Sequence, residues 1–223
     1  YFAQGLPYVA VMTISVIMYK RLDISNAELA FYTGWLNLPW VIKPLWSPFI
    51  DLMKTKRWWT TTMQLLIGAG LAGIAFTIPT EHFFQWTLAI FWLMAFSSAT
   101  HDIAADGFYM LGLDSHQQAL FVGIRSTFYR IATIAGQGLL IMLAGHLETS
   151  TGNIPYAWSI TFMVLAGLFI ALWGYHYFIL PRPDSDKPAR EVSANTLMKE
   201  FIGTFVSFFK KKQAGIAILF MLL

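Results

Sequence analysis

Between positions 1 and 180 the chain is a succession of six apolar stretches, each about twenty residues long and separated by short polar turns. About twenty apolar residues make an α-helix long enough to cross the hydrocarbon core of a bilayer. In lipid only a helix or a closed barrel satisfies its own backbone. The stretches are continuous rather than alternating, so helices are predicted. Of 223 residues, 57% are hydrophobic and 12% are charged. Soluble domains carry about 25% charged residues. The expected class is an all-α polytopic membrane protein. The absence of Cys excludes thiol catalysis, disulfides and Cys-based metal centres. The net charge of +3 sits at helix ends and in one connection, a membrane pattern rather than a nucleic-acid signal.

The predicted spans cover about 1–19, 29–49, 60–78, 84–111, 119–145 and 156–180. Ser25 with Glu28 forms a capping box that starts the second. Pro39 and Pro44 kink it. Trp58 and Trp59 mark an interface before the third. From 181 the composition turns polar, and then Leu197, Met198, Phe201, Ile202, Phe205, Phe208 and Phe209 recur at helical spacing before Lys210, Lys211 and Lys212. Three units are expected: a six-helix bundle over 1–180, a cytoplasmic linker with an amphipathic surface helix over 181–212, and the start of span seven over 213–223. Tyr1 and Leu223 both lie inside apolar segments, so a piece truncated at both ends of a longer protein is expected. Three Lys and Arg follow span two and seven follow span six, which puts those connections in the cytoplasm.

Five ionisable side chains lie within the spans: Lys43, Asp102, Asp106, Arg125 and Arg130. Each acid costs roughly 2.5–3.5 kcal/mol near the bilayer centre, so such groups face a bundle interior or a wet cavity. Asp102 and Asp106 are four residues apart and share one helix face, with Ser98 before and Tyr109 after. Arg130 lies about 18 Å into span five, too deep to snorkel easily. Its face carries Ser126, Thr133 and Gln137, a polar stripe that suggests a wet cavity, with a structural ion pair as the alternative. Arg125 points elsewhere, to a structural pair or a lipid headgroup. Lys43 either snorkels from its place near Asp51 or serves the cavity. Asp102, the deeper acid, is expected to face the cavity with Arg130 and to couple protons; Asp106 is expected as a gate or a fold partner. A carboxylate's proton affinity rises away from water and falls beside a cation. An Asp whose cationic partner leaves and returns is therefore a proton carrier. The excess of one cation suits an anionic small molecule.

His101 is expected to pack rather than to ligate, and the histidines show no metal-ligand spacing. His101 and Asp106 match the H-x4-D pattern of membrane acyltransferases, but within a span rather than a loop. An acyltransferase or a sensor is the reading from another class. Gly68, Gly70 and Gly73 are expected as close-packing positions. No cofactor and no metal are expected.

The phrases YFAQGLPY, KPLWSPFID, SSATHDIAADGF and STFYRIAT resemble the AmpG-type muropeptide permeases of the major facilitator superfamily. The acetyl-CoA transporter family shares these phrases. The resemblance covers the whole chain and implies the six-span N-terminal half of a major facilitator superfamily fold, with alternating access and proton-coupled import. It implies muropeptides as substrate, in the bacterial inner membrane, for a monomeric protein. Lys43 matches the family's Lys before Trp-Ser-Pro, Asp51 the loop acid, Asp102 and Asp106 the paired acids of span four, and Arg130 the Arg of span five. Gln137 and Tyr109 join these as expected substrate or coupling residues. Asp51, Arg57 and Arg125 are expected gating residues, Asp51 and the basic turn forming a cytoplasmic latch. His101 stands where these permeases place Gln. Gly107, Phe108, Tyr109 and Met110 stand where they continue with Trp, Lys and an acid.

Overall fold

The computed structural model describes residues 1–187 together with 196, 199, 202, 203, 206, 207, 210 and 211. The linker helix and span seven expected over 181–212 and 213–223 fall largely or wholly outside these residues. Among the described residues there is no strand. Five helices among the described residues are long and apolar enough to cross a membrane: α1 (Phe2–Arg21), α5 (Lys56–Thr77), α6 (Phe83–Gly112), α7 (Ser115–Thr151) and α8 (Ile154–Ile179). The second span is not one helix. It is three short ones, α2 (Asn26–Thr33), α3 (Leu38–Ile42) and α4 (Ser47–Met53), joined by 3-10 turns at Gly34–Asn37 and Lys43–Leu45. A simple kink was expected there. Pro39, Pro44 and Pro48 each open a new segment, where a missing N–H costs nothing. Each would clash with the carbonyl four residues back if one helix ran through.

Local caps set most other boundaries. Ser25 and Glu28 make the expected capping box. Asp114 and Gln117 make a second one, at the start of α7. Thr55 caps α5 and Asn153 caps α8. Helix α7 was expected to end near 145 but runs to Thr151, where Gly152 takes a left-handed φ of 64°. Nothing between 145 and 151 breaks a helix, and Glu148 is held against it: Arg21 Nε donates to Glu148 Oε2 at 2.9 Å and Trp158 Nε1 to Oε1 at 2.7 Å.

In the bundle, α5 packs between α6 and α8, while α1 lies against α7 and α6. The core is built of buried Tyr19, Phe91, Trp158, Phe162 and Phe169 with Ile14, Met18 and Leu36. The glycines of α5 are contact points, as expected. A Cβ at Gly68 would stand 2.7 Å from Ile170 Cδ1, and one at Gly70 would stand 2.7 Å from Met94 Cγ. Large apolar side chains such as Phe76, Ile134, Met142 and Phe178 cover the outside, as a lipid-facing surface requires.

Candidate functional site

Helix α6 carries Asp102 and Asp106 one turn apart, and the two acids meet different partners. Asp102 is 8% exposed. Its Oδ2 lies 3.8 Å from Nζ of Lys43, whose side chain is 36% exposed. Lys43 belongs to the 3-10 turn that interrupts the second span. Irregular backbone at membrane depth is tolerated only where protein or a water-filled cavity surrounds it. Gln4 of α1 and Trp40 of α3 also face the Asp102 carboxylate. Asp102 Oδ1, Gln4 Oε1, Trp40 Nε1 and Ser98 Oγ are all buried with no hydrogen-bond partner among the described residues.

Asp106 is more open. It accepts from the Tyr1 hydroxyl at 2.8 Å and lies 3.6 Å from Arg125 Nη2. The Arg125 guanidinium is 4.6 Å from the Tyr1 ring and 5.1 Å from the Tyr109 ring. Arg125 is thus in an ion pair, one of the two alternatives expected for it, and two tyrosine rings set nearly perpendicular to each other lie within cation–π reach of it. Tyr109 sends its hydroxyl to the Gln118 carbonyl, fastening the α6–α7 turn.

Arg130 does not reach Asp102. It is exposed on α7 and has no acidic partner among the described residues. The cation facing Asp102 is Lys43, because the second span packs on α6 whereas α7 packs on α1. Further along α7, Gln137 Nε2 donates to Thr13 Oγ1 at 3.4 Å. Both residues sit in π-helical segments, Ala10–Ile14 in α1 and Gly136–Leu140 in α7, which touch each other. Such segments are rare and concentrate at functional sites. A sequence offers little signal for them.

Behind Asp102, three helices share a buried polar chain. Gln64 of α5 lies with Nε2 3.0 Å from His101 Nε2 and Oε1 3.1 Å from His176 Nδ1. In this amide orientation Gln64 donates to His101 and accepts from His176. His101 is packed, as expected, and Gln64 is the residue that explains why.

At the end carrying the basic turn, Asp51 pairs with Lys56. The linker acid Asp186, 8% exposed, accepts from the backbone N–H of Lys56 at 2.6 Å and of Arg57 at 3.0 Å. It thereby supplies an anion to the first turn of α5. Arg57 does the converse at the last turn of α8. Its Nε donates to Leu180 O at 3.2 Å, and its Nη2 donates to Tyr177 O. Ser185 Oγ donates to Leu111 O at 3.2 Å. The linker's first residues are therefore pinned across α5 and α6. Asp186 escapes a reading by spacing. Its only sequence signal is an acid shortly after span six, opposite a basic turn. Among the described residues no group of acids and histidines could hold a metal ion.

The sequence profile of the BT1 family matches residues 2–222. The anhydromuropeptide permease of Escherichia coli strain K12 is 22% identical over 227 residues, covering 100% of this chain and 43% of that protein. An uncharacterized protein of Schizosaccharomyces pombe is 27% identical over 199 residues, covering 80% of this chain and 36% of that protein. An uncharacterized protein of Haemophilus influenzae is 29% identical over 178 residues, covering 77% and 40%. The chain spans less than half the length of these curated relatives.

Proposed function

This chain belongs to the BT1 family, and from that premise we propose that it is one half of a secondary transporter, importing an anionic small molecule together with protons. Asp102 is the coupling acid in this reading, and Lys43 is the partner it releases and regains. The observation that carries it is the pair itself: a buried acid 3.8 Å from a partly exposed lysine, at a break in a span. At an effective dielectric of about 20, attraction at that distance is about 4 kcal/mol. Burying each ion costs several kcal/mol. The terms are of the same size, so a small change of surroundings decides whether the pair holds.

An anionic substrate fits the cations left over. Lys43 is partly exposed, and Arg130, which has no acidic partner among the described residues, stands exposed on the α7 face that carries Ser126 and Gln137. An Arg within a span needs a wet cavity or another protein surface, not lipid. Substrate sites of such carriers lie at the midplane between two repeat bundles. In this reading the Asp51–Lys56 pair and Arg57 latch the cytoplasmic end, and Asp106 with Arg125 steadies the mouth. The protein acts as a monomer in a bacterial inner membrane.

The substrate class follows the Escherichia coli permease, an anhydromuropeptide, and the form proposed for this chain is N-acetylglucosaminyl-anhydromuropeptide. Another anion such as acetyl-CoA is the second reading, left open because this chain departs from those permeases at His101 and from Gly107 to Met110. The test is uptake of labelled anhydromuropeptide and of acetyl-CoA by sealed proteoliposomes of the full-length protein. Accumulation of the muropeptide that a protonophore collapses supports the reading. Accumulation of acetyl-CoA alone replaces the substrate. Product formation in detergent with no vesicle would point to an enzyme, and binding without accumulation to a sensor.

A further inference from the structure

Lys43 and Asp102 stand 3.8 Å apart, beyond hydrogen-bond reach, so the geometry of the pair is set by what holds the two chain segments together. The backbone around Lys43 does little of this. Its 3-10 turn closes with a hydrogen bond from Trp46 N to Lys43 O at 3.3 Å, long for its kind, and Pro44 supplies no N–H. Side chains supply the anchor. Trp46, three residues after the lysine, donates from Nε1 to Thr100 Oγ1 of α6 at 3.2 Å. Its ring also lies against Phe96, with centroids 5.6 Å apart, and Phe96 stacks on Trp92 at 6.1 Å. Phe96 and Thr100 are one turn apart on one flank of α6. Asp102 is two residues past Thr100, about 200° round the helix, so Lys43 reaches the other flank. The broken span therefore straddles α6. An indole has one donor and no acceptor. At a membrane interface that N–H ordinarily faces the wet side, but here it is spent on a neighbouring helix. A hydrogen bond and a ring contact together fix both the height of the segment along α6 and its rotation.

We propose that Trp46 is the positioning residue of the Lys43–Asp102 pair. Its grip on Thr100 and Phe96 keeps the turn in place on α6, and Lys43 leaves and regains the carboxylate by side-chain motion about that fixed point. The grip stands on the geometry; its place in proton coupling rests on the reading above. Without the Thr100 bond the turn shifts on α6, and the ammonium no longer returns to its place beside Asp102 Oδ2. The charged and titratable groups around Asp102 are Lys43 from the second span, Asp106 on α6 and Tyr129 from α7.

The test is a double-variant cycle read by infrared spectroscopy of the full-length protein in lipid. The carboxylic C=O band of Asp102, assigned by its loss in Asp102→Asn, is titrated with pH in wild type, Trp46→Phe, Lys43→Met and the two combined. Trp46→Phe keeps a ring for Phe96 and loses the N–H. Its midpoint is expected to move in the same direction as that of Lys43→Met, and by less. In the Lys43→Met background Trp46→Phe is expected to add nothing. No movement in Trp46→Phe, or equal movement with and without the lysine, overturns the positioning role. Thr100→Val removes the acceptor and is expected to move the midpoint as Trp46→Phe does. Thr100→Ser retains the acceptor and is expected to keep the wild-type midpoint; a midpoint matching that of Thr100→Val contradicts the proposal. In proteoliposomes, Trp46→Phe is expected to lower proton-driven accumulation about fivefold more than gradient-free exchange, the worth of one hydrogen bond. Equal loss of both would leave Trp46 a structural residue only. A wild-type protein that shows the spectroscopic coupling but accumulates no solute overturns the transport reading and leaves the positioning of Lys43 standing.

Discussion

Lys43 and Asp102 meet at 3.8 Å where the second span breaks into 3-10 turns. The lysine comes from the turn and the acid from the continuous helix α6. One partner is thus rigidly mounted and the other sits on the backbone least committed to helix. A pair mounted in this way can part without unwinding α6.

Removing the lysine alone leaves a buried acid without its cation. Lys43→Ala is expected to lower stability by about 1–2 kcal/mol, because Lys43 is over a third exposed and the acid left behind is neutralised by taking up a proton. Lys43→Met combined with Asp102→Asn removes both charges and is expected to recover most of that loss. Thermal unfolding of the purified variants in one detergent checks the order: single variant lowest, double variant near wild type.

Arg125 is held by shape as well as by charge. Arg125→Lys keeps the positive charge near Asp106 but loses the guanidinium's cation–π contacts with Tyr1 and Tyr109. The expected cost is about 1 kcal/mol. Asp106→Asn should impair uptake far less than Asp102→Asn does, because the Asp106 carboxyl is partly open. Equal losses for the two acids would remove the distinction between coupling acid and mouth.

Asp186 joins the linker to the start of α5 through two backbone hydrogen bonds. Asp186→Ala is expected to cost about 1 kcal/mol, the ordinary value of a helix cap. Hydrogen exchange at the Lys56 and Arg57 amides should quicken in the variant. Unchanged exchange there would mean that the contact contributes nothing in the membrane.

Much of the scaffold was legible because span length and apolar content follow from the bilayer. The ends of α5, α6 and α8 fall within a few residues of expectation. Pro39 and Pro44 announced trouble in the second span, but not that it would become three short helices. That outcome depends on what surrounds the freed carbonyls. The candidate site was legible as a set of residues and not as pairs. Periodicity places Asp102 and Arg130 on polar faces of their own helices. It does not say that the second span, rather than α7, lies against Asp102. Gln64 and Asp186 escaped for the same reason: each is defined by a neighbour distant in the chain.

Close packing in α5 can be tested without touching any charge. Gly70→Val puts a branched side chain where even a Cβ would stand 2.7 Å from Met94 Cγ. Overpacking of this kind costs about 1–3 kcal/mol. A lower unfolding temperature in detergent is expected, with the remedy Met94→Ala restoring part of it. No change in unfolding temperature would mean that α5 and α6 separate more than this packing allows.

The central claim is that Asp102 couples solute movement to protons. The direct measurement is accumulation of labelled anhydromuropeptide in sealed proteoliposomes of the full-length protein, outside acidic, for wild type and Asp102→Asn. Wild type is expected to accumulate solute against its gradient. Asp102→Asn is expected to lose that accumulation while still exchanging labelled for unlabelled solute when no gradient is imposed. An Asp102→Asn protein that still accumulates solute in response to the pH gradient would contradict the account.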